Sequence, residues 1–395
     1  MDSIQIRPEG APSRNPGRRQ MPLPMKSAYS RTGLSVLAMY GVISVLAGLL
    51  IGIVLVGMMT MSILENSAED APGAFNLFSD LFELVEGGAA GWIVLLSAVA
   101  SGAGMAVSLP LIRKMTRYGS HEPIPKKRLG VPAFLAVVMT AFGLWGVGVY
   151  LGNYTELLGY PVRSLLDYGG GSSLISALSL AYAVFGAPVV EELVFRKTLL
   201  DVLHPHGETC AALVTALLFG LIHGNSGQFF LAFLLGLLFA GVYMKTGHIL
   251  YTIALHFIIN LTASAPDLLR FAGIQSDWLF DMVVLPLLTI AGLIVFVVSY
   301  RKKAEWFRLS LPEVPDANRQ VFANPGMLIA VIGGTVSAVG TDFYLTVYSA
   351  INADSLIPLA ALLSTVMMIG TVVLVCTLGG RRWKRTSDAD IPSWE

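Results

Sequence analysis

The chain has 395 residues, 54% of them hydrophobic and only 13% charged, and its formal net charge is zero. Soluble globular chains carry about 25% charged residues, so this composition, with a mean hydropathy of +0.68, excludes an ordinary soluble domain. The zero balance, with basic residues gathered in short loops, argues against a nucleic-acid partner. Cys210 and Cys376 lie inside or at the edge of apolar runs, with none of the close thiolate spacing of a disulfide framework or cysteine metal site.

Taken in order, Met1 to Gly33 is polar, basic and proline-rich and reads as a cytoplasmic tail. The run Leu34–Leu64 is far too long for a signal-peptide core and reads as a retained span. Further apolar runs follow at Ala90–Ile112, Gly130–Gly152, Ser172–Val190, Thr209–Ile222, Phe229–Met244, Ile249–Ser264, Met282–Tyr300, Gly326–Tyr348 and Leu356–Gly379. A span takes about 20 mainly apolar residues, so the expected architecture is all-α, a polytopic transmembrane bundle of about ten spans. The fifth, sixth and seventh runs are short or closely spaced, which leaves room for a tilted, broken or re-entrant segment.

Loop charges orient the bundle, because Lys and Arg collect on the cytoplasmic side. Arg14, Arg18, Arg19, Lys26 and Arg31 precede the first span; the next loop, Glu65 to Ala89, has no Lys or Arg and six acidic residues. Arg113, Lys114, Arg117, Lys126, Lys127 and Arg128 make the following loop basic. Basic residues recur at Arg196 and Lys197, Lys245, Arg301 to Lys303, and Arg381 to Arg385. The alternation predicts both termini on the cytoplasmic side. Within the acidic loop, Leu77, Phe78, Leu81, Phe82, Leu84 and Val85 recur at helical spacing and predict a short helix on the membrane surface. Gly143, Gly146 and Gly148 suit close helix packing. Asp342 is expected to be hydrated near the outer end of its span, and His204-Pro205-His206 to be a solvated loop. The spans beyond the basic linker Arg301 to Arg319 look like an added hairpin.

The chain is organised around Glu191-Glu192-Leu193-Val194-Phe195-Arg196, which follows a run from Ser172 to Val190 with no ionisable side chain. A charge near the bilayer interior costs a few kcal/mol at least, so such residues are functional suspects. On a regular helix Glu192 and Arg196 share a face, whereas Glu191 and Arg196 are about 140° apart. Arg196 is expected to hold Glu192 and leave Glu191 for chemistry. His223 closes one apolar run and shares a face with Phe219; His256 lies inside another and shares a face with Asn260. A lone histidine in an apolar helix is usually a packed residue. A Glu pair, two histidines and an Asn within about seventy residues are not what an apolar bundle collects for packing.

Glu is a general base for water, a neutral histidine can share the proton, and a second histidine with an amide can stabilise an oxyanion. No serine or cysteine nucleophile stands with a partner base, so activated water is favoured over a covalent intermediate. Glu191, His223 and His256 equally offer the two nitrogens and one carboxylate of a catalytic zinc site, and spacing does not choose between these.

Glu191-Glu192-x-x-x-Arg196, Phe219-x-x-x-His223 and His256-x-x-x-Asn260 together resemble the three-motif signature of the CAAX-protease and bacteriocin-processing (CPBP, or Abi) family of intramembrane proteases. The resemblance covers Ser172 to Ser264. It implies that Glu191 activates water with help from His223, that His256 and Asn260 stabilise the oxyanion, and that Glu192 and Arg196 support them. Both metal-dependent and glutamate-type mechanisms fit these residues.

The implied organisation is a cytoplasmic tail (1–33), a transmembrane hairpin with its acidic loop (34–129), a catalytic membrane core (130–303) and a C-terminal hairpin and tail (304–395). The expected activity is an endopeptidase in a bacterial cell membrane, with its site towards the cytoplasm and a protein or peptide substrate that is a candidate for lipid modification. The alternatives are a non-proteolytic scaffold or bacteriocin self-immunity protein of the same fold, and a proton-coupled transporter. Against the transporter, no inverted repeat is visible.

Overall fold

The structure is a computed structural model that describes residues 23–66, 90–120, 123–152, 173–310, 317–351 and 357–378, and no strand occurs among them. The helices that frame the site are α1 (Met25–Asn66), α2 (Ala90–Thr116), α3 (Val131–Gly152), α4 (Leu174–His206), α5 (Glu208–Leu221), α6 (Ser226–Thr246), α7 (Ile249–Ala263), α8 (Phe280–Arg301), α9 (Pro325–Ile351) and α10 (Ile357–Leu378). Within the described residues, each apolar run of the sequence is essentially helical. Among the described residues seven helices, α1 to α4, α6, α8 and α9, are long and apolar enough to cross a membrane, and the chain is an integral membrane protein. An eighth span exists if α7 is counted with Ala265–Phe271, from which it is bent by 53°. The expectation of about ten spans is thus met by length for seven or eight. At 14 residues, α5 reaches only about 21 Å, short of a hydrocarbon core of about 30 Å.

Helix α6 is the centre of the bundle. Of its most apolar stretch 72% is buried, against 6% for α1. A helix that is hydrophobic all round belongs in such a position. It packs on α3, α5 and α7 and touches α10. Its ends are defined by the sequence: Asn225 accepts from the Gln228 N–H at 2.8 Å as N-cap. Gly247, at φ +61°, closes the other end by donating to the Tyr243 carbonyl at 2.7 Å. Lys245 in the last turn of α6 pairs with Glu208 in the first turn of α5 at 2.6 Å, each charge at the helix end that favours it.

Small residues bring the other helices together. A Cβ added at Gly143 on α3 would stand 2.5 Å from the Gly292 carbonyl carbon on α8. Gly146 lies against Thr289 of α8, and Gly148 against Leu231 of α6.

Two expectations are corrected, and a third, the solvated loop, gains a local structure. Helix α1 begins at Met25, well before Leu34, because Ala28, Tyr29, Thr32 and Ser35 are fully buried and Gly33 backs onto Gly326 of α9. Asp342 is not hydrated but buried, with 5% exposure. The segment His204–His206 is a turn of 3₁₀ helix, with His204 Nδ1 3.1 Å from the Asp201 carbonyl. The expected surface helix of the acidic loop and the basic C-terminal tail lie outside the described residues.

Candidate active site

Helix α4 is interrupted on both sides of the carboxylate pair. The N–H of Ala187 reaches back five residues to the Tyr182 carbonyl, making a π turn over Tyr182–Gly186, and a second π stretch covers Leu193–Leu200. Glu191 and Glu192 lie on the short α segment between them, Ala187–Glu192. The first opening has a cause in the sequence. In the wider register the Ala183 carbonyl would accept from residue 188, but Pro188 has no N–H. Asn260 of α7 supplies the missing donor, its Nδ2 at 2.8 Å from the Ala183 oxygen. Single π turns are rare and are often found at functional sites.

Glu192 is fully buried beside the fully buried Arg196, with Nε 3.2 Å from Oε2. The N–H is not aimed at that oxygen, so the contact is an ion pair by distance and not an aligned hydrogen bond. The guanidinium lies 4.4 Å above the Phe219 ring and 5.5 Å from that of Phe239. The other oxygen of Glu192 is 3.1 Å from His256 Nδ1. Its neighbour Glu191 is partly exposed, and its Oε2 stands 3.8 Å from His256 Nε2. His256 therefore lies between the two carboxylates, bonded to one and open to the other.

His223 comes from the turn after α5. Its Nδ1 donates to the Phe219 carbonyl at 2.7 Å, which leaves the Nε2 lone pair for proton transfer. The Phe219 ring meets His223 edge-on at 5.1 Å and His256 at 6.0 Å between centroids. The structure thus brings Glu191, Glu192, Arg196 and His256 into one group, while Asn260, four residues beyond His256 on α7, bonds to α4 at the Ala183 carbonyl. His223 joins it through Phe219, and among the described residues no hydrogen bond links it to Glu191 or His256.

Five buried polar atoms here have no hydrogen-bond partner in the protein: Glu191 Oε2, Glu192 Oε2, and Nε, Nη1 and Nη2 of Arg196. Polar atoms so buried ordinarily bond to ordered water. A metal fits less well, since among the described residues no three His, Cys, Asp or Glu side chains are grouped to hold an ion. Glu191, His223 and His256, the candidate zinc ligands, do not close into such a set among the described residues.

Sequence reading missed a second polar group on the same helix. Asp201 accepts from Lys197 Nζ at 2.8 Å, from Tyr243 at 2.8 Å and from Tyr118 at 3.3 Å. The four-residue spacing of Lys197 and Asp201 was its signal. At Tyr118, burial and then the Asp201 charge push the phenol above its ordinary pKa.

Residues 173–262, slightly under a quarter of the chain, match the family model described as type II CAAX prenyl endopeptidase Rce1-like. No curated protein and no solved structure matches the chain. The segment carrying Glu191, Glu192, Arg196, His223, His256 and Asn260 is thus similar to the Rce1-like type II CAAX prenyl endopeptidases, in line with the resemblance of its three motifs.

Proposed function

We propose that this chain is an intramembrane endopeptidase that hydrolyses a peptide bond with water activated at Glu191. The observation that carries the reading is the contrast between adjacent carboxylates. Glu192 is occupied by Arg196 and His256, while Glu191 Oε2 has no hydrogen-bond partner in the protein and stands 3.8 Å from His256 Nε2, a gap that one water can bridge.

Glu191 takes a proton from that water as its oxygen bonds to the carbonyl carbon of the scissile amide. His223, with its Nε2 lone pair kept free by the Phe219 carbonyl, assists the proton transfer. The tetrahedral oxyanion is stabilised by His256, donating from Nε2 when both ring nitrogens are protonated, and by the second amide hydrogen of Asn260. The C–N bond then breaks and the proton held by Glu191 passes to the leaving amine. Glu192 and Arg196 hold His256 in place.

The family match supports a C-terminal CAAX peptide as substrate, prenylated on its cysteine. The loop charges support cytoplasmic termini, with the site towards that side of the membrane. The test is hydrolysis of prenylated and unmodified CAAX peptides by purified full-length protein. Glu191→Gln should lower the rate by about 10²-fold or more with unchanged thermal unfolding. A variant as active as the wild type would end the proposal and favour the non-proteolytic scaffold.

A further inference from the structure

The turn that carries His223 is held from outside the matched segment. Asp342, on α9, is a buried carboxylate in an apolar bundle, a placement that needs a physical reason. Its Oδ1 and Oδ2 lie 3.1 and 3.3 Å from the N–H of Ser226, the first residue of α6, where the helix dipole favours a negative charge. Thr365 of α10 donates to Oδ2 at 2.6 Å. Next to Ser226, Asn225 sends its Nδ2 to the His223 carbonyl at 3.0 Å while its Oδ1 caps α6. Gly334 of α9 packs on Leu221 at the end of α5. Gly224, at φ +68°, lies in the turn beneath Tyr40 and Ser337, whose hydroxyls are hydrogen-bonded at 2.6 Å.

We propose that Asp342 is a positioning residue for His223, so that the C-terminal hairpin is a working part of the site. Asp342 and Thr365 fix the start of α6, Asn225 passes that restraint to the His223 backbone, and the Phe219 carbonyl orients the ring. The inference rests on His223 serving the hydrolysis proposed above.

Amide hydrogen exchange on the full-length protein in detergent reads the turn directly. Asp342→Ala should speed exchange at residues 222–228 by about tenfold or more, with 230–244 still protected. Asp342→Asn, whose oxygen can still accept from Ser226, should stay within about threefold of the wild type. In the peptide assay Asp342→Ala should lower kcat about tenfold with KM within about twofold, and Asp342→Asn should recover most of the loss. Val372→Ala, which trims a buried side chain of α10, is the control and should lower Tm without lowering kcat. Wild-type exchange at 222–228 in Asp342→Ala overturns the clamp. A loosened turn with unchanged kcat, or an equal kcat loss in Val372→Ala, overturns its link to catalysis. If the wild type cuts no peptide, the endopeptidase reading has failed, and the exchange comparison alone decides whether Asp342 holds the turn.

Discussion

Arg196 is a buried cation whose ion pair with Glu192 is an imperfect one. It holds Glu192 at 3.2 Å without an aligned hydrogen bond and rests on the Phe219 face. Its removal leaves a fully buried carboxylate without its guanidinium countercharge. Arg196→Ala should therefore destabilise the protein by about 3–5 kcal/mol, measured by thermal unfolding in detergent; a loss under about 1 kcal/mol would contradict the pairing. Arg196→Lys should not restore stability fully, because an ammonium has no flat face to lay on Phe219. The division between Glu192 and Glu191 was legible, since residue types and a four-residue spacing carry it. The position of His256 between both carboxylates was not, because it depends on how α7 approaches α4.

At the scale of the element, α4 departs most from a regular helix. The expectation of about 140° between Glu191 and Arg196 assumes uniform winding, whereas Arg196 lies in the π stretch Leu193–Leu200. Pro188 marks the first interruption in the sequence, but a proline does not say what replaces its N–H. Asn260 does so from a different helix. Asn260→Ala leaves the Ala183 carbonyl without its donor and should cost about 1–3 kcal/mol. Adding Pro188→Ala returns a backbone N–H at residue 188, so the double variant should be more stable than Asn260→Ala alone. Chemical or thermal unfolding of the two singles and the double measures the coupling; strictly additive losses would show that the two residues do not share this carbonyl.

At the scale of the whole molecule, glycines let particular helices approach at their backbones, while large side chains such as Phe195, Phe229 and Phe239 fill the core between them. Gly143→Leu should force α3 from α8 at Gly292 and destabilise by about 1–3 kcal/mol or more, read as a lower unfolding temperature. An unchanged temperature would mean that the seam can open freely. The glycines of α3 announced close packing, but not against which partner. The hairpin α9–α10 looked like an addition in sequence, yet it packs on α1, α5 and α6 and lends Asp342 to the start of α6.

What the sequence determined by itself is local and repetitive. Apolar runs set the helices, since a chain in lipid satisfies its own backbone hydrogen bonds, and three short motifs marked the residues worth following. Only the tertiary structure decided which polar atoms meet. It placed His256 between two carboxylates, replaced the proton that Pro188 lacks with one from Asn260, and buried Asp342 against a helix end. Such pairings join residues far apart in the chain, and each depends on how the helices that carry them pack together.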